Sequence, residues 1–385
     1  MSSSQPAPSS HAQEVTNSVQ SIIDSNCNAL LTKMQDGHAG ADVGISVALF
    51  YPNDSSIPSF FQYGWAGPNE VITSETVYAI GSVTKVFTAS LAAFLSVEGM
   101  IGALDQTPVA PYLYNPGCNP SGISGPYWDG DQVNFMQFAT QTSGMPDEAN
   151  GPYGDQLFAG ELPSCQQLSW WNGNQPEFMT NLNYWIYSSA GFVTLGFAVA
   201  AAVVDFISGG YPGVLRQVIT TPLGMPSTFA AQDLPRELPL AQGYNNNNAV
   251  SILNAADLKS NAQDMLTWLG AVYEAMELQA SGGTLTSLQQ ALASAASVWI
   301  EHPRKPDGQY TDFAMGLGWQ IPTINSAQVL MKDGLTSKGG CSCWIGLTRY
   351  ASDVPPVGIA LLTNQDWVGP DSTARTILQQ IMDLG

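Results

Sequence analysis

Six stretches of this chain have the composition of β-strands, and they lie at its two ends. They are Val43–Tyr51, Phe60–Ala66, Gly316–Ile321, Gln328–Met331, Cys341–Leu347 and Val357–Asn364. These strands can bury their apolar faces in a single sheet only if the four C-terminal strands pair with the two N-terminal strands. We therefore expect an α+β fold in which residues 14–101 and 301–385 form an α/β lobe and residues 102–300 form a mostly helical lobe.

Seven other stretches carry apolar residues at the three- and four-residue spacing of helices. They are Val15–Met34, Ser82–Leu95, Phe135–Thr142, Ala190–Val204, Leu258–Tyr273, Leu285–Ile300 and Ser372–Leu384. Gly102–Trp128 and Gly151–Pro176 are expected to be irregular because Gly and Pro interrupt them. Ala190–Val204 carries no charge, but it is too short and too interrupted by Gly for a membrane span, so it is predicted to be a buried core helix.

The balance of charges excludes several classes of partner. The chain has 385 residues and a formal net charge of −20, from 31 acidic and 11 basic side chains. Nucleic acids and anionic membranes are bound through basic surfaces, so we expect neither nucleic-acid binding nor membrane insertion. The three histidines are scattered and the five cysteines follow no zinc or redox spacing. We therefore predict no metal site, no cofactor and no Ser-His-Asp triad.

The N-terminal sequence, the cysteines and the composition give indications of the cellular compartment in which the protein resides. Residues 1–13 are rich in Ser, Pro and Ala and lack the apolar segment of a signal peptide, so we expect a disordered leader or a mature N-terminus with a start Met. Cys118 and Cys165 are a candidate disulfide pair, with buried free thiols as the alternative. Few lysines, an acidic composition and many Gly and Trp favour an exported protein, extracellular or periplasmic.

The stretch Val77–Leu95 carries the first chemical motif. Gly81 precedes a helical pattern that begins at Ser82, where free backbone N–H groups and the helix dipole favour developing negative charge. Lys85 follows three residues later, so its amine lies over the same face as the Ser82 hydroxyl. A serine needs a base to become a nucleophile, and a lysine can supply one. The alternative is a helix-capping serine beside a solvated lysine.

Two later segments complement this pair. Tyr187 stands at the entry to the predicted core helix, and a phenol near two ammonium groups has a lowered pKa and can shuttle protons. The alternative is a tyrosine that packs at a helix start. Met331–Thr336 offers the cation Lys332, then Gly334, which lets backbone approach a ligand, and then an N–H for an oxyanion hole. The alternative for this segment is a surface β-turn.

In chain order, the patterns S-x-x-K, Y-S-x and K-x-G resemble the three signature elements of the class C β-lactamase superfamily. That group also holds serine DD-peptidases, family VIII carboxylesterases, D-amino-acid peptidases and fungal acyltransferases. Ala139–Pro146 resembles its H-T-S-G-L-P segment, with Gln141 where His is common. The resemblance implies a β-lactamase/transpeptidase-like fold, with an antiparallel sheet flanked by the terminal helices and an active site in the cleft beside the helical lobe.

The resemblance also implies a role for each matching residue. Ser82 would be the acylated nucleophile, and Lys85 and Tyr187 would share the proton transfers, with the choice of base left open. Lys332 would polarise the tyrosine hydroxyl and attract a substrate carboxylate. The backbone N–H groups of Ser82 and Leu335 would form the oxyanion hole.

Two positions depart from the pattern of β-lactamases and peptidases. Ser189 stands where Asn usually contacts the substrate amide, and Asp333 stands where Thr or Ser is usual; with Gly334 and Thr336 they are the predicted substrate-binding residues. Both changes favour esters over β-lactams, because a carboxylate beside the lysine weakens the attraction for an anionic substrate. We therefore expect a serine hydrolase that acts on small-molecule carboxylic esters through an acyl-Ser82 intermediate. The alternatives are a β-lactamase or penicillin-binding DD-peptidase, a D-amino-peptide hydrolase or acyltransferase, and a non-catalytic binding member.

Overall fold

The computed structural model describes residues 10–36, 38, 41–113, 127–128, 131–147, 164–234 and 237–384. The helices in this part of the chain are α1 Ser10–Gln35, α2 Thr84–Val97, α3 Phe135–Ala139, α4 Cys165–Asn181, α5 Ser189–Ala202, α6 Gly210–Leu215, α7 Thr221–Leu223, α8 Ala262–Ala280, α9 Ser287–Ala296 and α10 Asp371–Met382. The strands are β1 Gly44–Phe50, β2 Phe60–Gly67, β3 Glu70–Val71, β4 Tyr78–Ala79, β5 Tyr127–Trp128, β6 Asp131–Gln132, β7 Phe229–Ala230, β8 Gln242–Asn245, β9 Asn248–Ser251, β10 Leu258–Ser260, β11 Phe313–Met315, β12 Gln320–Ile324, β13 Ala327–Thr336, β14 Cys341–Thr348 and β15 Gly358–Thr363.

The main sheet joins the two ends of the chain, as the sequence predicts. Its order is β11-β12-β13-β14-β15-β1-β2-β3, and each neighbouring pair is antiparallel. The early and late strands meet where β1 pairs with β15, with Ala48 opposite Ala360. The predicted α+β architecture and its antiparallel sheet are therefore confirmed.

Alternate residues of the central strands pack into two different cores. In β1, Val47 packs into a core with Val19 of α1 and Ile377 of α10. Its neighbour Ala48 packs into the other core, which includes α2, α5 and α8. Successive side chains of a strand point to opposite faces, so the terminal helices cover one face of the sheet and the middle of the chain covers the other.

A small second sheet holds the turn that precedes α2. Strand β10 lies between β4 and β7, and Lys259 is paired with Ala79. The backbone N–H of Ile80 donates to the Leu258 carbonyl at 2.9 Å. Because these bonds fix the residues just before Gly81, they position the segment that carries Ser82.

Three sequence predictions differ from the structure. Residues Leu258–Ser260, predicted to begin a helix, form strand β10. Part of Gly151–Pro176, predicted to be irregular, belongs to helix α4, which begins at Cys165. Leu168, Trp171 and Phe178 are buried along this helix, and their burial outweighs the local Gly and Pro signal. The first helix begins at Ser10, so residues 10–13, expected to be disordered, are helical; residues 1–9 lie outside the described residues.

No helix in the described part of the chain is long and apolar enough to cross a bilayer. The uncharged segment predicted at Ala190–Val204 forms α5, and its residues from Ala190 to Ala200 are buried in the protein. It is a core helix, as predicted.

Candidate active site

Ser82 lies in the tight turn that leads into α2. Residues Gly81–Val83 form a single 3-10 turn, and the α-helix starts at Thr84, two residues later than predicted. Val83 caps α2, and no side chain donates or accepts a capping hydrogen bond there. The structure therefore does not use the Ser82 hydroxyl as a helix cap.

The Lys85 ammonium and the Tyr187 phenol both reach the Ser82 hydroxyl. Lys85 Nζ donates to Ser82 Oγ at 2.9 Å, and Tyr187 OH donates to the same oxygen. Lys85 Nζ also donates to Ser189 Oγ at 3.4 Å and lies 4.9 Å from the centre of the Tyr187 ring. Ser82 Oγ is thus held between two groups that can exchange protons with it.

Tyr187 is placed by the start of helix α5. The Ser188 side chain caps this helix by accepting from the Gly191 N–H at 2.8 Å. The Ser188 N–H donates to Gln141 Oε1 at 2.7 Å, and the Ile186 N–H donates to the Gln141 carbonyl at 2.9 Å. Gln141 therefore anchors both sides of Tyr187, and its φ of 63° lets side chain and carbonyl face the same segment.

Lys332 lies on β13, across the site from Lys85. Its Nζ is 5.3 Å from the centre of the Tyr187 ring and donates to Asp333 Oδ1 and to the Asp333 carbonyl, both at 2.7 Å. The ammonium is nearly buried, whereas the Asp333 side chain is 57% exposed. Lys332 therefore acts on Tyr187 through its charge, while its described hydrogen bonds go to Asp333.

The charges around Tyr187 favour its ionised form. Burial of the phenol opposes ionisation, but the positive charges of Lys85 and Lys332, together with hydrogen bonds to Ser82 and Lys85, outweigh it and lower the pKa of Tyr187. Burial also disfavours the charged Lys332, but Tyr187 and Asp333 outweigh that effect and raise the pKa of Lys332. The site therefore combines a phenol that ionises more readily than usual with a stable cation beside it.

Two glycines let β13 approach the nucleophile turn. A Cβ on Gly81, whose φ is +51°, would lie 2.7 Å from the backbone nitrogen of Leu335. A Cβ on Gly334 would lie 2.2 Å from the Ile80 carbonyl oxygen and 2.6 Å from the Cys343 sulfur. The close approach that Gly334 permits is thus to the protein's own backbone, and not to a ligand as predicted. It brings the backbone of Leu335 against the segment that carries Ser82.

This close approach predicts a large loss of stability on Gly334→Ala. The added methyl would overlap a backbone carbonyl that cannot swing away, so we expect a loss of about 3 kcal/mol in the free energy of unfolding. Urea unfolding measures it. A Cβ on Gly369 meets nothing within 4 Å, so Gly369→Ala should change stability by less than about 0.5 kcal/mol. Equal losses in the two variants would contradict the role given to Gly334.

The last five residues of β13 form an open strand edge. The register of β12 on β13 ends at Met331, whereas β13 pairs with β14 as far as Thr336. The side chain of Leu335 is 55% exposed there. Backbone N–H and C=O groups on such an edge are available to a ligand.

The predicted substrate-binding residues lie at different depths in the site. The exposed Asp333 side chain is accessible to a ligand, and Ser189 is half-buried beside Lys85. Thr336, in contrast, is buried, and its hydroxyl interacts with the carboxylate of Asp257. The prediction that Thr336 contacts substrate is therefore corrected: its hydroxyl is used inside the protein.

Several neighbours of the site carry no recognisable signal in the sequence. Asp147 Oδ1 accepts the Ser189 N–H at 2.9 Å, and Thr84 Oγ1 accepts the Leu258 N–H at 3.0 Å. Asp257 stands directly before Leu258. Among the neighbours of the site, Gln141 lies in the segment that resembles the H-T-S-G-L-P pattern. Asp147, Thr84 and Asp257 are single polar residues that no motif in the sequence specifies.

The described cysteines are either buried free thiols or disulfide-bonded. Cys343 donates to the Ile80 carbonyl at 2.9 Å, and burial raises the pKa of its thiol well above the ordinary value. Cys27, Cys341 and Cys343 are free and buried. Cys165 is disulfide-bonded, and its predicted partner, Cys118, lies outside the described residues. Groups of three or more His, Cys, Asp or Glu suited to a metal are absent from the described part of the chain.

Comparison with known proteins decides the family. A model of the Beta-lactamase family matches residues 33–381. The chain belongs to the Beta-lactamase family. This membership confirms the resemblance drawn from the S-x-x-K, Y-S-x and K-x-G patterns, because the match spans all three.

Individual members of the Beta-lactamase family are distant from this chain. A beta-lactamase of Yersinia enterocolitica is 25% identical over 302 residues, which are 76% of this chain and 68% of that protein. The D-alanyl-D-alanine-carboxypeptidase/endopeptidase AmpH of Escherichia coli K12 is 24% identical over 78% of this chain and 74% of its own length. The crystal structure of a class C beta lactamase from Rhodobacter sphaeroides superposes with a TM-score of 0.68 and 19% identity, over 93% of this chain and 99% of that one. That structural likeness shows a shared fold.

Proposed function

We propose that this protein is a serine hydrolase that cleaves small carboxylic esters through an acyl-Ser82 intermediate. The observation that carries the proposal is the convergence of Lys85 Nζ and Tyr187 OH on the Ser82 hydroxyl. A serine between an amine and a phenol with a lowered pKa has the base that a nucleophile needs. Membership of the Beta-lactamase family supports the same chemistry.

In the first half-reaction, the backbone N–H groups of Ser82 and Leu335 would receive the ester carbonyl oxygen. Tyr187, as phenolate, takes the proton of Ser82 while the bond from Oγ to the carbonyl carbon forms. When the tetrahedral intermediate collapses, the bond to the alcohol oxygen breaks and Tyr187 returns the proton to that oxygen. Lys85 keeps the Ser82 hydroxyl oriented and, with Lys332, stabilises the phenolate by charge.

The second half-reaction repeats these steps with water. Tyr187 takes a proton from water while the water oxygen attacks the acyl carbon. The bond to Ser82 Oγ then breaks, and the proton returns to Ser82, which releases the carboxylic acid and restores the starting site. Both halves need one proton carrier beside Ser82 Oγ, which is the position of Tyr187 OH.

The surroundings of the catalytic groups favour esters over β-lactams. Ser189 is too short to grip an amide as Asn would, and its hydroxyl accepts from Lys85. Asp333 is ion-paired with Lys332, so the positive potential that would attract a β-lactam carboxylate is reduced. A simple ester needs neither contact.

β-Lactam or DD-peptide hydrolysis is the second candidate. It is favoured by the names of the relatives, which are beta-lactamases and a D-alanyl-D-alanine-carboxypeptidase/endopeptidase. Turnover of p-nitrophenyl acetate, p-nitrophenyl butyrate, nitrocefin and a D-Ala-D-Ala peptide by the purified protein separates the candidates. We expect the esters to have the higher kcat/KM; faster turnover of nitrocefin or of the peptide would replace the ester proposal.

The compartment is also a proposal. We infer an exported protein because Cys165 is disulfide-bonded, and disulfides persist in oxidising compartments. The acidic composition and the few lysines agree with this. Labelling of free thiols before and after reduction, in fractions of the native host, tests the inference.

The double variant Ser189→Asn with Asp333→Thr tests the substrate preference. An Asn amide supplies both a donor and an acceptor for an acylamino side chain, and removing Asp333 leaves the charge of Lys332 available. We expect the nitrocefin-to-ester ratio of kcat/KM to rise about tenfold or more. Steady-state kinetics on both substrates measures it.

The matched control for this variant is Ser352→Asn with Asp353→Thr. Both residues are exposed in the loop between β14 and β15. This control makes the same two substitutions away from Ser82 and Tyr187, so the ratio should stay within about twofold of the parent. A ratio that rises equally in both double variants would contradict the assignment of Ser189 and Asp333.

A further inference from the structure

A surface cavity of about 740 Å³ lies between the loop after β1, the helix α8 and the loop between β14 and β15. Four aromatic side chains line it, Phe50, Tyr51, Tyr273 and Tyr350. Cys343 of β14 contacts the backbone just before the nucleophile turn, whereas Tyr350 follows the other end of this strand. At the rise of an extended strand, the cavity lies roughly 20 Å from that turn. It is therefore separate from the candidate active site, and we call it the distal cavity.

The aromatic rings of the distal cavity pack against one another. The centre of the Tyr273 ring lies 5.5 Å from that of Phe50 and 5.9 Å from that of Tyr350. A Cβ on Gly270 would lie 3.5 Å from the Phe50 ring, so this ring packs closely on α8. Aromatic faces attract a cation that lies within about 6 Å of the ring centre. This wall can therefore bind an ammonium group as well as an apolar chain.

The two loops of the distal cavity are held in fixed shapes. Thr348 Oγ1 donates to the Pro355 carbonyl at 2.9 Å and accepts from the Val357 N–H at 2.9 Å, which closes the base of the loop between β14 and β15. Pro355 and Pro356 line the cavity from this loop, and Pro52 lines it from the loop after β1. Proline rings fix the backbone dihedral φ. A ligand would therefore meet a preformed site and lose little binding free energy to ordering it.

The Tyr273 hydroxyl is a polar group that lacks a partner in the described part of the chain. Tyr273 is only 7% exposed, and its hydroxyl takes part in none of the hydrogen bonds between described residues. Burial, with the nearby Glu277 carboxylate and Tyr350, raises the pKa of Tyr273. The phenol therefore stays neutral, and its oxygen can accept a hydrogen bond from a ligand N–H group.

Three carboxylates line the distal cavity, and no described cation balances them. Glu274 and Glu277 lie three residues apart on α8, and Asp353 lies on the loop between β14 and β15. All three are exposed, and none forms an ion pair with a described residue. The described lining of the cavity contains neither Lys, Arg nor His. The electrostatic potential in the cavity is therefore negative and attracts cations.

The placement of these carboxylates favours an organic cation over a metal ion. A metal ion of the calcium or magnesium type needs several oxygen ligands that converge on one point. Within the described ranges, no three His, Cys, Asp or Glu side chains are grouped in that way. The charges instead lie on two different walls, with aromatic and proline surface in the same cavity. This arrangement suits an aliphatic chain that carries an ammonium group at each end.

We propose that the distal cavity binds a small organic dication in which two ammonium groups are joined by an aliphatic chain. One ammonium group meets the two carboxylates of α8 and the Tyr273 hydroxyl, and the other meets Asp353. The methylene groups between them pack against the ring of Tyr350. The site does not involve Ser82, so this inference stands apart from the proposed hydrolysis.

Isothermal titration calorimetry of the full chain with 1,5-diaminopentane tests the proposal. We expect saturable binding with a Kd below about 1 mM. Pentylamine has the same chain length and one charge, and it should bind about tenfold more weakly. Choline, which carries a single quaternary charge, should also bind more weakly than the dication. High salt should weaken the binding of the dication because it screens the exposed carboxylates.

Two double variants with equal effects on net charge locate the site. Glu274→Gln with Glu277→Gln removes the carboxylates of α8 and should raise the Kd for 1,5-diaminopentane at least about tenfold. Glu75→Gln with Glu98→Gln is the matched control, since both residues are exposed and lie outside the cavity; its Kd should stay within about twofold of the parent. Tyr350→Leu removes an aromatic face and should raise the Kd about fivefold. Thermal unfolding curves confirm that each variant is folded.

Each result supports or overturns a defined part of the proposal. The absence of saturable binding of 1,5-diaminopentane, or an equal rise of Kd in the two double variants, would overturn the site. Equal Kd values for 1,5-diaminopentane and pentylamine, or tighter binding of choline, would overturn the choice of a dication. Loss of ester hydrolysis in Ser82→Ala leaves all of these measurements unchanged, so the two proposals fail independently.

Discussion

Ser82→Ala is expected to reduce ester hydrolysis by at least about 10,000-fold while leaving the protein folded. The change removes the only atom that forms the acyl bond, and neither Lys85 nor Tyr187 is positioned to replace it. Stability should change little, because the Ser82 hydroxyl does not cap α2 and its described partners are the two catalytic side chains. Steady-state rates with p-nitrophenyl acetate and a thermal unfolding curve measure both effects.

Ser90→Ala is the matched control for this experiment. Ser90 lies on the same helix and is fully buried, and its hydroxyl donates to the Val86 carbonyl at 2.8 Å. The control therefore removes a serine hydroxyl from α2 without touching the reacting groups. We expect it to keep activity within about threefold of the parent. Ester turnover within tenfold of the parent in Ser82→Ala would exclude Ser82 as the nucleophile.

Tyr187→Phe is expected to lower kcat about 1,000-fold with a much smaller effect on KM. The ring and its packing against Lys85 and Lys332 remain, so the variant removes the proton carrier and little else. Tyr184→Phe is the matched control, since Tyr184 lies three residues earlier and packs against Arg304, away from Ser82. A loss of similar size in both variants would indicate a general disturbance of this loop.

The pH dependence gives Tyr187 a second test. The phenolate is the active base, so kcat/KM should rise with pH as Tyr187 loses its proton. The two lysines lower the pKa of Tyr187, and this acidic limb should therefore lie below the ordinary titration of a tyrosine. In Tyr187→Phe the limb should disappear along with most of the activity. A parent profile that is flat below pH 10, or a limb that survives in Tyr187→Phe, would assign the base to another group.

The sequence predicts the sheet and the catalytic residues because both depend on local patterns. Strand-like segments at both ends of the chain leave few ways to bury them, and the structure pairs β1 with β15 accordingly. Ser82 and Lys85 lie one helical turn apart, so their proximity is inherent in the spacing. Tyr187 and Lys332 are distant in sequence, and only the resemblance to a family joined them to this pair.

Other features depend on tertiary contacts that no local pattern encodes. Helix α4 was missed because its buried residues, and not its propensity, stabilise it. The close approach of β13 made Gly334 a packing requirement and placed Thr336 inside the protein. Asp257 lies next to the nucleophile turn because the strand that follows it, β10, pairs with β4 in the small sheet. An isolated acidic residue between two short elements gives no sign of this position.

The central claim is that Ser82 becomes acylated during turnover, and a trapped intermediate tests it most directly. The parent protein is mixed with p-nitrophenyl acetate, quenched in acid within the first turnovers and digested for peptide mass mapping. We expect release of about one equivalent of p-nitrophenolate in a burst, with one acetyl group on the peptide that contains Ser82 and none in Ser82→Ala. Turnover without an adduct on that peptide, or a stoichiometric adduct on another residue, would contradict the account.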